Sequence, residues 1–358
     1  MPLVAHSPLP TFDVLRAQGE TILSLDRAVH QDIRELHVGL LNMMPDAALR
    51  VTERQFMRLV GSCNQIVQFW VHPFSVPGLG RSDETQAYID RYYTPFDRLR
   101  EDGLDALIIT GANVASPTLE AEPFWAPLQE VFDWAVEHVP SVLCSCLATH
   151  ALLKHYHGVD RRRLPRKRWG VYRHRITDRA HPLLRDVNTR FDVPHSRHNE
   201  ISAEQFRGAG LTVLAESDQG DVHLAVSADQ FRVIYLQGHP EYDLESLLKE
   251  YVREVRRWLA GEISDPPPYP EHYFSPEAAA VADRYVEAAG AARARGTPAP
   301  PFPEAEILGF LDNTWGDSGR AFFNNWLGWV YRLAHVDRHE LFMDGVDPHD
   351  PLGMSAGG

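Results

Sequence analysis

The sequence holds only three cysteines, Cys63, Cys144 and Cys146, in 358 residues. An odd count, with two of the three separated by a single residue, argues against a disulfide framework and for a reducing compartment. Positive charge is also short: 35 basic against 49 acidic side chains give a net charge of -14. A general nucleic-acid binder needs clustered Lys and Arg to displace counterions, so that class is set aside. No apolar run is long enough to span a bilayer, and the opening MPLVAHSPLPTFDVLRAQGE lacks the basic start and apolar stretch of a secretory signal. The expectation is a cytoplasmic protein that does not contact membranes. A glycine-rich nucleotide loop, a HExxH helix and an internal repeat are all missing. His195 and His198 have no partnering ligands at metal-site spacing, so neither a metal nor a bound cofactor is expected.

What is present is ordinary for a globular enzyme with a large core: 44% hydrophobic and 23% charged residues. Short apolar runs at 36–41, 66–71, 104–110 and 142–146 are bounded by turn formers and separated by stretches with helical spacing at 46–60 and 122–138. This alternation predicts buried strands of a mostly parallel sheet with crossover helices. Further strands are predicted at 212–215, 222–226 and 231–236, and a helix at 244–259. The prolines of DPPPYP and GTPAPPFP bracket an alanine-rich helix at 276–294, and 321–333 (AFFNNWLGWVYRL) reads as a docking helix with a buried aromatic face. The expected division is a segment at 1–35, an α/β domain at 36–264, a proline-rich and helical insertion at 265–303, docking helices at 304–346 and a tail at 347–358.

Two segments carry chemistry. Cys146 ends an apolar strand and directly precedes LATHALLKHYH, a helical stretch. A thiol at such a turn faces the positive end of the helix dipole, and the backbone N–H that follows can hold an oxyanion. A buried structural thiol is the alternative, and packing is the expected role of Cys144. The strand at 231–236 runs into Gln237-Gly238-His239-Pro240-Glu241, which offers an imidazole at a strand end with a carboxylate to orient it. If the two strands are neighbours, Cys146, His239 and Glu241 form a triad.

The chain resembles the homoserine O-acyltransferases of methionine biosynthesis, a group built on the class I glutamine amidotransferase fold. The matching text is LNMMPD at 41–46, TERQF at 52–56, LIITGA at 107–112, the Cys146 elbow, GVY at 170–172, PHSR at 194–197, GHPEYD at 238–243 and NWL at 325–327. The resemblance implies a flavodoxin-like three-layer α/β sandwich with a helical C-terminal extension. It makes Cys146 the acyl-accepting nucleophile, His239 the proton acceptor and Glu241 its partner. Lys167, Ser196 and Arg253 fall at substrate-binding positions, Ala115 falls where donor preference is set, and the N–H of Leu147 belongs to the oxyanion hole. In the family, glutamate at the Ala115 position goes with acetyl transfer and a small glycine with succinyl transfer; alanine is neither, but adds only one methyl to glycine and brings no charge. The implied reaction is therefore succinyl transfer from succinyl-CoA to L-homoserine by a homodimer.

The segment DAALRVTE after Pro45 departs from the family's shorter, lysine-containing stretch, so the basic contribution to the pocket is either missing or supplied by Arg50. The basic run at 160–175 is either a solvated loop or an attractor for coenzyme A phosphates. Competing readings are acetyl transfer from acetyl-CoA, with homoserine or serine as acceptor, glutamine hydrolysis by the same triad, and a binding protein that kept the fold without the activity.

Overall fold

The computed structural model describes residues 3–63 and 67–354. The expected strand start at Ile66 and the end of the tail, 355–358, lie outside the described residues. Buried strands must satisfy every backbone N–H and C=O through neighbours, and the apolar runs do so side by side. In chain order they are β1 (Leu3–Ala5), β2 (Ile22–Ser24), β3 (Glu35–Leu41), β4 (Gln68–Phe74), β5 (Ala106–Ile109) and β6 (Ser141–Ser145). There follow β7 (Arg162–Ile176), β8 (Arg190–Glu200), β9 (Thr212–Ser217), β10 (Val222–Val226) and β11 (Val233–Leu236). They join in one sheet in the order β2-β1-β4-β3-β5-β6-β11-β10-β9-β7-β8. Pairing is parallel from β2 to β11 and antiparallel from β11 to β8.

Helices cover both faces, which makes the expected three-layer sandwich. On one side the Asp46–Gly61 and Gly316–Leu333 helices share a core with Val38, Ile108, Leu143 and Ile234. On the other, the Trp125–His138 and Leu147–His157 helices pack on Leu107, Val142 and Tyr235. The aromatic face of the C-terminal helix is core: Phe323, Trp326 and Val330 are fully buried. The Trp326 indole N–H, which needs a partner when desolvated, donates to Ser141 Oγ on β6 at 2.8 Å.

Several expectations change. The stretch at 160–175 is the long strand β7, paired with β8, and not a loop. Its arginines hid it from hydrophobic patterning, because they meet carboxylates on neighbouring segments: Arg162 lies 2.9 Å from Glu200, and Arg168 pairs with Asp221. Strand β11 begins two residues later than expected because Asp229 Oδ1 accepts from the N–H groups of Phe231 and Arg232, at 2.9 and 2.6 Å, and holds them in a turn. The N-terminal segment contributes β1 and β2 to the parallel edge of the sheet. In the 265–303 region the Pro276–Arg295 helix, Tyr269 and Phe302 build a third apolar cluster against Trp169, Val171 and the Ser246–Leu259 helix. Glu271 bonds the backbone of Trp169 and Val171 at 2.8 Å each way. Gly170 between them has φ 149°, and a Cβ there would lie 2.1 Å from the Glu271 carbonyl oxygen. Among the described residues no helix is long and apolar enough to cross a membrane.

Candidate active site

Strands β6 and β11 are adjacent and parallel, with Ser145 opposite Leu236, so the residues that follow them emerge at the same edge of the sheet. In open α/β sheets that carboxyl edge is where ligands bind. Cys146 leaves β6 with φ 55° and ψ −109° and is the N-cap of the Leu147–His157 helix. A left-handed conformation is strained for a residue with a Cβ and persists only when its surroundings enforce it. Here the Cys146 N–H donates to Leu236 O at 2.8 Å, and the buried Thr149 hydroxyl lies 2.9 Å from Cys144 O and 2.8 Å from Leu236 O. The turn pushes the thiol out of the core: Cys146 is partly exposed, whereas Cys63 and Cys144 are buried. Gly111, after β5, lies over it. A Cβ on Gly111 would be 3.5 Å from Cys146 Cβ and 3.7 Å from Leu147 N, so the missing side chain leaves a space beside an uncapped helix N–H.

His239 follows β11 and lies near enough to Cys146 for the thiol to act on its titration. Its Nδ1 lies 2.8 Å from Glu241 Oε1, both side chains are almost fully buried, and its N–H donates to Pro194 O at 2.8 Å. Burial alone would lower the His239 pKa, but the Glu241 carboxylate with its hydrogen bond and the neighbouring Cys146 outweigh it and raise the pKa to about 10. The close approach of the strands requires Gly238: a Cβ there would sit 2.3 Å from Val193 Cγ1 and 2.9 Å from His223 Nδ1. Tyr242 stacks on the imidazole, with ring centroids 4.4 Å apart, and its carbonyl accepts from Trp315 Nε1 at 2.8 Å. The C-terminal region thereby braces the histidine turn.

The remaining sequence-derived residues separate into two groups. Lys167 Nζ lies 3.0 Å from Glu250 Oε2, and Ser196 Oγ donates to the same oxygen at 2.6 Å. Glu250 Oε1 accepts from Tyr242 OH at 3.0 Å, which joins both residues to the histidine turn. Burial raises the Glu250 pKa, but Lys167 and the three hydrogen bonds outweigh it and hold the carboxyl below its ordinary value. Arg253, one turn further along the helix, stays outside this network, with its side chain 59% exposed and its Nε 3.4 Å from Glu254. Ala115 lies in the loop after β5, where its N–H and that of Ser116 donate to Glu122 Oε1 at 2.7 and 2.5 Å. Glu122 was expected to open the 122–138 helix. Its side chain instead fastens this loop, and the helix starts at Trp125.

Arg50 does not take the place of the family's cation, since it stacks over Tyr88 and pairs with Glu84. The guanidinium beside the Met43–Met44 turn belongs to Arg81, which donates to Met44 O and sits 3.6 Å from Asp46. His195 is buried between His174 and His223, while His198, three positions along the strand, is exposed.

The sequence matches the homoserine O-succinyltransferase family over residues 2–336. The chain belongs to the homoserine O-succinyltransferase family. A homoserine O-succinyltransferase of Methylococcus capsulatus is 59% identical over 99% of this chain and 100% of its own length. One of Nitrosococcus oceani is 58% identical over 99% of each chain. Among solved structures, a glutamine amidotransferase of Methylobacillus flagellatus aligns with 83% of this chain and 95% of its own, at 14% identity and a TM-score of 0.45.

Within this homoserine O-succinyltransferase family chain, sequence reasoning passed over Glu250, Tyr242 and Arg81. Glu250 gave no signal in the sequence: on the Ser246–Leu259 helix it falls on the charged side, away from the buried Leu247, Leu248, Tyr251, Val252, Val255 and Trp258. All three depend on contacts between segments far apart in the chain. Thiol reactivity offers a direct check of the elbow. Iodoacetamide is expected to label Cys146 first, because burial raises the Cys63 pKa to about 12 and pushes the Cys144 thiol up as well. Peptide mapping after limited labelling reads the order, and labelling of Cys144 ahead of Cys146 would displace the nucleophile.

Proposed function

We propose that the chain transfers a succinyl group from succinyl-CoA to the hydroxyl of L-homoserine through a succinyl-Cys146 intermediate, in methionine biosynthesis. His239 holds the thiol proton, and Cys146 Sγ attacks the thioester carbonyl. The N–H of Leu147 and the Gly111 loop take the developing oxyanion, the bond from the carbonyl carbon to the CoA sulfur breaks, and His239 returns the proton to the departing thiolate. Homoserine then enters. His239 removes its hydroxyl proton, the oxygen attacks the acyl carbon, and the carbonyl–Sγ bond breaks to restore the starting state. Glu241 keeps the imidazole oriented and balances its positive charge. Lys167, Ser196 and Arg253 bind the substrates, and Ala115 leaves room for the longer acyl chain. No bound cofactor takes part.

The observation that carries this reading is the partly exposed Cys146 at a strained strand–helix turn, beside a buried, hydrogen-bonded His239–Glu241 pair that follows the neighbouring strand. Intact-mass measurement tests it: succinyl-CoA should add one succinyl group to the protein, and homoserine should remove it as O-succinylhomoserine. Ammonia released from glutamine without acyl transfer would replace the reading with a glutaminase. Arg253→Ala is expected to raise the homoserine KM roughly 10- to 100-fold, the size of a lost charge-assisted contact to a carboxylate. Acyl-enzyme formation should change little, and equal loss in both half-reactions would make the arginine structural. The reading also includes a cytoplasmic homodimer with no nucleic-acid partner, which light scattering and fractionation address.

A further inference from the structure

Beside the Ala115 loop lies a cavity of about 480 Å³, lined by Ala115, Ser116 and Leu119 on one side and by Lys154, Arg161 and Arg163 on the other. Its cations are not equivalent. Lys154 Nζ is taken up by Glu120 and Asp160, at 3.0 and 2.8 Å. Along the basic run Arg162 pairs with Glu200, Arg166 with Glu271, Lys167 with Glu250, Arg168 with Asp221 and Arg173 with Asp192. Arg161 and Arg163, the two that face the cavity, have no carboxylate at ion-pair distance among the described residues. Arg163 is exposed, whereas Arg161 is partly buried. Burial lowers the Arg161 pKa, and the charges of Cys146 and Glu122 act against it, so its guanidinium lies within the electrostatic reach of the nucleophile.

We infer that Arg161 is the residue that selects the acyl donor, by receiving the distal carboxylate of the succinyl group in this cavity. The inference rests on the acyl-cysteine reading above and names the group that reads the donor's charge. A guanidinium withdrawn from water without a partner gains most from a planar carboxylate that can accept two N–H bonds. Succinyl brings one and acetyl does not. Glu122, whose charge acts on Arg161, has its carboxylate held by the Ala115 and Ser116 N–H groups and does not line the cavity, while the two carboxylates that do, Glu120 and Asp160, are paired with Lys154. Ala115 supplies the space and Arg161 supplies the attraction. The same anion chemistry is present in the phosphates of coenzyme A, and comparison of donors separates the two sources.

The test measures acyl-enzyme formation and kcat/KM with succinyl-CoA and acetyl-CoA for the wild type, Arg161→Ala, Arg161→Lys and Arg166→Ala. Arg166 is exposed on β7, which begins directly after Arg161, and controls for general loss of positive charge. Arg161→Ala should lower kcat/KM for succinyl-CoA roughly 10- to 100-fold, the range of a charge-assisted contact, and leave acetyl-CoA within a few fold. Arg161→Lys should recover part of the preference, and Arg166→Ala should match the wild type. Equal loss with both donors would overturn the inference and assign Arg161 to the CoA phosphates or to folding. An unchanged succinyl-to-acetyl ratio would overturn it outright. If the wild type forms no acyl-enzyme with either donor, the acyl-cysteine reading itself fails, a result distinct from both.

Discussion

Cys146→Ala is expected to lower turnover by about 10⁴-fold or more, the loss typical when the nucleophile of a catalytic unit is removed. It should also abolish the succinyl adduct seen by mass. The argument is geometric. Of the three cysteines, only Cys146 combines a partly exposed sulfur, a helix N-terminus and a place beside a buried histidine–carboxylate pair. Cys144→Ala serves as the contrast. That sulfur is fully buried on β6, so its removal should reduce stability by the modest amount expected for a small cavity and leave the acyl-enzyme step intact. Normal turnover by Cys146→Ala would remove the covalent route altogether. Glu241→Gln should fall between these limits, because the histidine would keep its place but lose the charge that favours its protonated form.

The second large expected effect is unfolding in mild acid. His174, His195 and His223 form a buried group beside the site, with ring centroids 5.1, 5.7 and 6.3 Å apart. One ring nitrogen of each, His174 Nε2, His195 Nε2 and His223 Nδ1, has no hydrogen-bond partner among the described residues. Burial lowers the His174 pKa to about 4 and places those of His195 and His223 well below the ordinary value. His150, also buried, is lowered to about 3.

An unfolded histidine titrates near 6.5, so below that pH the unfolded chain binds protons that the native protein refuses. The stability these groups allow is complete above pH ~6.5 and falls as pH drops toward their folded values. His174 and His150 contribute about 1.4 kcal/mol each per pH unit over that range, so at pH ~5 the two together cost on the order of 4 kcal/mol, and His195 and His223 act in the same direction, against a usual total stability of a few to about 15 kcal/mol. His239 works in the opposite sense: its raised pKa gives stability that is complete below pH ~6.5 and is lost as pH rises through about 10. Across the acid range its contribution is therefore constant and leaves the loss from the other four uncompensated. Circular dichroism against pH is therefore expected to show cooperative unfolding near pH ~5, well above the titration range of most carboxylates. His223→Phe should move the midpoint to lower pH if the substitution packs. A native signal that persists to pH ~3.5 would contradict the assignment of neutral buried histidines.

The sequence by itself determined the layered α/β architecture, since alternating short apolar runs and amphipathic stretches have few other ways to bury their faces. It also singled out the candidate nucleophile and the His-x-Glu pair, because a cysteine between an apolar strand and a helix, and a Gly-His-Pro-Glu turn after another strand, are local features. It missed β7 and β8, whose charged residues break hydrophobic periodicity and are satisfied by carboxylates from other segments, Asp221 and Glu200 among them. Only the tertiary structure decided that β6 and β11 are neighbours, which turns two weak local signals into one site. It alone placed Arg81 beside the Met43–Met44 turn, gathered Lys167, Ser196 and Tyr242 around Glu250, and left Arg161 without an ion-pair partner among the described residues. The physical reason is common to all of these. A residue's backbone conformation and burial follow from its near neighbours along the chain, whereas the partner that satisfies a buried charge is chosen by which strands lie side by side, and sequence distance carries little trace of that choice.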